Sequence, residues 1–197
     1  MGKLVLSLLI GLVGAGLVHI AVIFAMPSVA ERNAWSRLAD LGEPYALVRV
    51  QPLESEPGTV SASTDAPVGD FAFVDPAFIT AGCRFSLERG PVRIYARERN
   101  ITFWSASIYN RQGDNLYSIN DRAAIDGIVD LLVGTRDQIV DAEAENETGG
   151  SRIPVEVETV EGYMTIRALV DEESKRPFVD SFIQSVQCEA AEELAGR

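Results

Sequence analysis

From Leu4 to Met26 the chain carries no charged residue, and no other feature limits its folding as severely. At about 1.5 Å per helical residue, a run of this length crosses the roughly 30 Å hydrocarbon layer of a bilayer. It predicts one transmembrane helix, with lipid as the partner of residues 4–26. A cleaved signal peptide has an apolar region of only about 7–15 residues, so an uncleaved anchor is the expectation. Ser28 and Ala30 nevertheless have the small side chains that a signal peptidase accepts.

The flanking charges do not orient the helix. Lys3 and the amino terminus stand on one side, Arg32 and Arg37 on the other, and the excess of positive charge that marks a cytoplasmic flank is nearly cancelled. Inside the run, Gly11 and Ala15 have the small-xxx-small spacing through which two helices approach closely, which makes helix-mediated self-association a candidate. His19 is the single histidine of the chain, and an ionisable group in a membrane segment is a functional candidate by default. The bland alternative is a neutral imidazole hydrogen-bonded near the end of a tilted helix.

Two cysteines, Cys83 and Cys188, supply the missing direction. An even pair in an exported domain is most simply a disulfide, here closing a loop of about 100 residues and stabilising by roughly 4 kcal/mol. The competing reading is two separate buried thiols. With the disulfide, the domain faces an oxidising compartment and the amino terminus faces the cytoplasm.

Downstream, 30–41 has helical spacing at Ala34, Leu38 and Leu41, with Gly42 as a stop. Tyr45 to Val50 reads as a first strand, while 51–69 is rich in Pro, Ser, Glu and Gly and reads as a linker. Cys83 to Leu87, Val92 to Ala96, Phe103 to Tyr109 and Leu116 to Ile119 alternate as the strands of an antiparallel meander. Ile125 to Val133 fits strand or helix, and Thr135 and Gln138 have capping-box spacing for a helix to about Glu145. Ile153 to Val160 and Tyr163 to Val170 suggest a hairpin around Glu161-Gly162. A helix from about Glu172 to Gln187 follows, with Phe178, Phe182, Ile183 and Val186 on one face. The expected class is α+β: a transmembrane helix plus a small antiparallel β-rich domain, meander- or sandwich-like, with two or three helices. Its divisions are an anchor at 1–29, a juxtamembrane helix and first strand at 30–50, the linker at 51–69 and the folded domain at 70–197.

Chemistry is sparse. With His19 in the anchor, the domain cannot build a Ser-His-Asp or Cys-His arrangement or a zinc site using imidazole. No phosphate-cradling glycine loop follows a predicted strand, so no cofactor is expected. A net charge of -12 disfavours nucleic acid and anionic lipid surfaces. The densest polar group runs from Tyr109 through Asp114 and Asn115 to Asn120, Asp121 and Arg122, with Trp104 and Tyr117 beside it. Aromatics next to amides and carboxylates can form a platform for a saccharide or small molecule. Asn, Asp and Gly are equally the residues of turns, and the spacing matches no calcium loop. Arg93, Tyr95, Arg97 and Arg99 share one strand face, a basic stripe for which Glu88, Glu98 and the acidic run 141–147 are internal partners.

The segments Asp75-Pro-Ala, Cys83-Arg-Phe-Ser-Leu, Gly90-Pro-Val-Arg-Ile, Phe103-Trp-Ser-Ala-Ser-Ile-Tyr109 and Tyr117-Ser-Ile-Asn-Asp-Arg122 resemble the small bacterial membrane proteins grouped as domain of unknown function 1254. Ala30-Glu-Arg-Asn-Ala-Trp-Ser-Arg37 behind the anchor resembles them too, and a sister group, domain of unknown function 1214, shares a similar Trp-Ser to Tyr segment. The resemblance implies a membrane location and a β-rich domain; it transfers no catalytic residue. The expectation is a single-pass protein of the bacterial inner membrane whose periplasmic domain is a non-catalytic binding module for an envelope partner. The alternative is a ligand-binding or enzymatic site near Trp104, Asp121 and Arg122.

Overall fold

Alternating apolar and polar side chains build two sheets that face one another across a shared core. The computed structural model describes residues 2–29, 34–50, 75–98, 101–145 and 152–190. Helix α1 (Gly2–Val29) is uninterrupted; its stretch Gly2–Ala25 is long and apolar enough to cross a membrane, and none of it is buried against the rest of the chain.

The first sheet has the order β1-β2-β8-β4-β5, from Val48–Arg49, Phe78–Ser86, Glu161–Leu169, Trp104–Asn110 and Asn115–Asn120, and is antiparallel throughout. The second has the order β7-β6-β3-β9, from Ile153–Glu156, Asp130–Gly134, Val92–Ala96 and Val186–Ala190. Period-two alternation turns Ile79, Cys83, Phe85, Ile108, Met164 and Ile166 of the first sheet inward to meet Val92, Ile94, Leu131, Val133 and Cys188 of the second, all within one core cluster. Burial of these side chains, at about 25 cal/mol per Å2 of apolar surface, is the main force holding the sheets face to face.

The strands expected to form a meander are divided between the layers. Strands β2 and β3 lie in different sheets, so Arg89-Gly90-Pro91 is a passage from one to the other; β4 and β5 form the hairpin. The hairpin expected around Glu161-Gly162 is absent, because β7 belongs to the second sheet and β8 to the first. Strand β7 pairs in parallel with β6, and α3 (Arg136–Glu145) makes the crossover that a parallel pair needs. Pro154, which has no N–H to donate, is tolerated because β7 is an edge strand. The capping box of α3 forms as expected: the Thr135 N–H donates to Gln138 Oε1 at 3.0 Å, and the Gln138 N–H approaches Thr135 Oγ1 at 3.5 Å.

The last helix is shorter than expected. Helix α4 spans Arg176–Ser185 and buries Val179, Phe182 and Ile183, whereas Phe178 is 64% exposed. From Val186 the period changes from helical to two, with Val186, Cys188 and Ala190 inward, and β9 pairs with β3. Cys188 is therefore a strand residue. Ile125 to Val133 resolves into a 3-10 turn at Ile125–Gly127, where Asp126 is left-handed (φ 54°), followed by β6.

Helix α2 (Ala34–Leu41) buries Leu38 on the outer face of β2, against Gly82, where an added Cβ would lie 3.3 Å from the leucine methyls. The Arg84 side chain donates to Gly42 O at 2.7 Å and lies over the Trp35 ring. Residues 34–50 are thus packed on the first sheet. The expected linker at 51–69 lies outside the described residues, as does Arg99.

Candidate functional site

Most of the polar group between Trp104 and Arg122 is used to build local structure. Trp104 is 2% exposed, packs in the core and donates its indole N–H to Gly127 O at 2.9 Å. Tyr109 stacks on Tyr163 with ring centroids 5.0 Å apart. Asp114 closes the β4–β5 turn, accepting from Asn110 Nδ2 at 2.7 Å while its own N–H donates to Asn110 Oδ1 at 2.8 Å, and Gly113 supplies the positive φ. The Asn115 amide donates to Ser118 Oγ, and Tyr117 packs against the core. Asn120 Oδ1 caps a turn by accepting from the N–H groups of Arg122 and Ala123, both at 3.1 Å. Arg122 is exposed, and Asp121 keeps one buried carboxylate oxygen without a partner among the described residues. Trp104 and Arg122 are thus not brought into one cavity.

Within the basic stripe Arg93 is ion-paired, with a partner other than those sequence proximity suggests. Arg93 makes a two-pronged contact with Asp130 at 2.9 and 2.8 Å, and this raises its pKa. The Tyr95 hydroxyl donates to Glu189 at 3.3 Å, and a hydrogen bond with Tyr95 raises the pKa of Arg97. Among the described residues no group of three or more His, Cys, Asp and Glu side chains is placed to hold a metal ion.

Sequence reasoning missed a cleft of about 500 Å3 between the edge strands of the two sheets. Tyr45, Leu47 and Arg49 form one wall; Ile183 and Gln184 of α4 and Val186 to Cys188 of β9 form the other. Two facts mark it out. Tyr45 holds a left-handed backbone (φ 66°), uncommon for a bulky residue, fixed by its N–H to Arg84 O at 2.8 Å and its hydroxyl to Ser86 O at 2.8 Å. Arg49 Nη2 lies 2.5 Å from Asp180 Oδ1 without hydrogen-bond alignment, while its Nε and Nη1 are buried with no partner among the described residues. The walls come from opposite ends of the domain, so no local motif announces them; the one available signal was the strand pattern of Tyr45 to Val50.

Among solved structures, the chain is similar to the VPA0106 protein from Vibrio parahaemolyticus, with TM-score 0.52 and 9% identity over 63% of this chain. The match spans only 30% of that structure. A protein from Burkholderia cenocepacia aligns with TM-score 0.38 and 16% identity over 59% of this chain and 29% of its own. No family model and no curated protein sequence matches the chain, and the Vibrio likeness is one of fold alone.

Proposed function

We propose that the chain is a single-pass protein of the bacterial inner membrane that displays its two-sheet domain in the periplasm as a non-catalytic binding module for an envelope partner. The observation that carries this reading is the Cys83–Cys188 disulfide, which belongs in an oxidising compartment, in a chain that also has a membrane-length apolar helix. Support for binding rather than catalysis comes from the polar residues, which are engaged in turns and ion pairs, while a partly desolvated cleft keeps donors unused. The resemblance to domain of unknown function 1254 points the same way.

The test is protease shaving of spheroplasts from cells expressing the full chain, with intact-mass measurement of its amino terminus, followed by crosslinking in membranes. The expected result is digestion of the domain from outside, an amino terminus that retains residues 2–29, and a reproducible crosslinked partner. A domain protected in intact spheroplasts would overturn the topology. An amino terminus cut near Ala30 would overturn the anchor.

A further inference from the structure

We infer that the cleft between β1 and β9 takes an extended polypeptide segment, whose main chain pairs with the free edge of β9 and whose carbonyl oxygens accept from Arg49. This deepens the binding-module reading and rests on it. Among the described residues, strand β9 ends its sheet, with β3 on one side and no strand on the other. Val186, Gln187 and Cys188 are consecutive yet all line the cleft. Side chains alternate along a strand, so three successive residues face one space when the strand's edge opens onto it. An unpaired edge is a template for an added strand, and strand addition is a recurring mode of peptide recognition.

Arg49 specifies the acceptor. Asp180 already balances its charge, and two guanidinium nitrogens, Nε and Nη1, with three N–H groups between them, remain buried without partners among the described residues. The chemistry that satisfies them without adding unbalanced charge is a neutral carbonyl, which an extended peptide presents at alternate residues. Gln184 and Gln187 add amide groups on the opposite wall, and the chain's net charge of -12 favours a segment with neutral or basic side chains.

The test uses the full chain in detergent micelles and a panel of capped heptapeptides alternating Val or Thr with Ser, Gln or Lys. Amide exchange of β9 is followed with and without each peptide. At least one peptide should slow exchange of the β9 amides that point away from β3 about tenfold or more. Its counterpart N-methylated at alternate residues should not, and Arg49→Lys, which keeps the charge but loses the planar fork of donors, should weaken binding by about tenfold. No protection by any peptide, equal binding of the N-methylated form, or unchanged affinity in Arg49→Lys would overturn the proposal. So would protection, before peptide is added, of the β9 amides that point away from β3, which would mean that another part of the chain or a second copy fills the edge. The wider reading is separable by photocrosslinkers placed at Gln187 and at Ser107 on the outer face of the first sheet. An envelope protein captured at Ser107 alone removes the cleft and keeps the binding module; capture at neither removes both.

Discussion

Cys83 on β2 and Cys188 on β9 join the two sheets across the core, with their Cα atoms 6.6 Å apart. Apart from the backbone passages between the sheets, the other contributions described, apolar packing and the bridging helix α4, are non-covalent. The bond spans a sequence separation of 105 and ties the last strand of the described domain to its first long one.

Replacing both cysteines with alanine is expected to lower the unfolding free energy by about 4 to 5 kcal/mol, the chain-entropy value for a loop of this size. Denaturant titration measures it, and the wild-type protein should show reduction-sensitive gel mobility. A loss below about 1 kcal/mol would mean that the crosslink contributes little to the folded state.

Tyr163 gives a pH signature. Burial, and then proximity to Tyr109, push its phenol up to about 12 from an ordinary value of 10.0. The folded state therefore holds this proton more tightly than the unfolded chain, so the associated stability is present below pH 10 and is lost as pH rises toward 12. Stability should fall across that window, and Tyr163→Phe should flatten the slope. Equal slopes in the two proteins would remove Tyr163 from the account.

Gly162 faces backbone and ring at once: an added Cβ would lie 2.6 Å from Tyr109 O and 2.7 Å from a Phe85 ring carbon. Gly162→Ala is expected to destabilise by about 2 to 3 kcal/mol through overpacking, seen as a lower thermal midpoint. A neutral result would show that β8 shifts more freely than its pairing on both sides implies.

Trp104→Phe separates a core residue from a ligand platform. It removes the hydrogen bond to Gly127 O and part of a buried ring, which should cost about 2 to 3 kcal/mol. Any ligand affinity measured well below the unfolding transition should be unchanged. Lost affinity with retained stability would restore Trp104 as a contact residue.

What the chain discloses locally and what it withholds divide along one physical line. The long apolar helix α1, the α3 capping box, the alternation in β3 and β4 and the disulfide pair each rest on residues near in sequence or on a unique pairing, and each forms as expected. The assignment of strands to sheets does not. Val155 and Val157 alternate with polar residues whether β7 pairs with β8 or with β6, and only the three-dimensional path through α3 decides. Val186 fits a helical stripe and a strand alternation equally, and the pairing with β3 selects the strand. The turn at Asn110 to Asp114 looked like a polar site because turn chemistry and ligand chemistry use the same side chains. Arg49 gives no local signal because what sets it apart, donors without a partner among the described residues, arises beside Asp180, a residue far away in the chain.

The docking of α2 on Gly82 sets a leash length. From Val29, the end of α1, to Ala34, the start of α2, there are five Cα steps, which at full extension reach no more than about 18 Å. In the proposed topology, with α1 in a bilayer, the two sheets would stay within about one domain diameter of the lipid. In that topology a partner embedded in the same membrane would meet the domain as though the two were tethered, at an effective concentration that free molecules in the surrounding solution would not share.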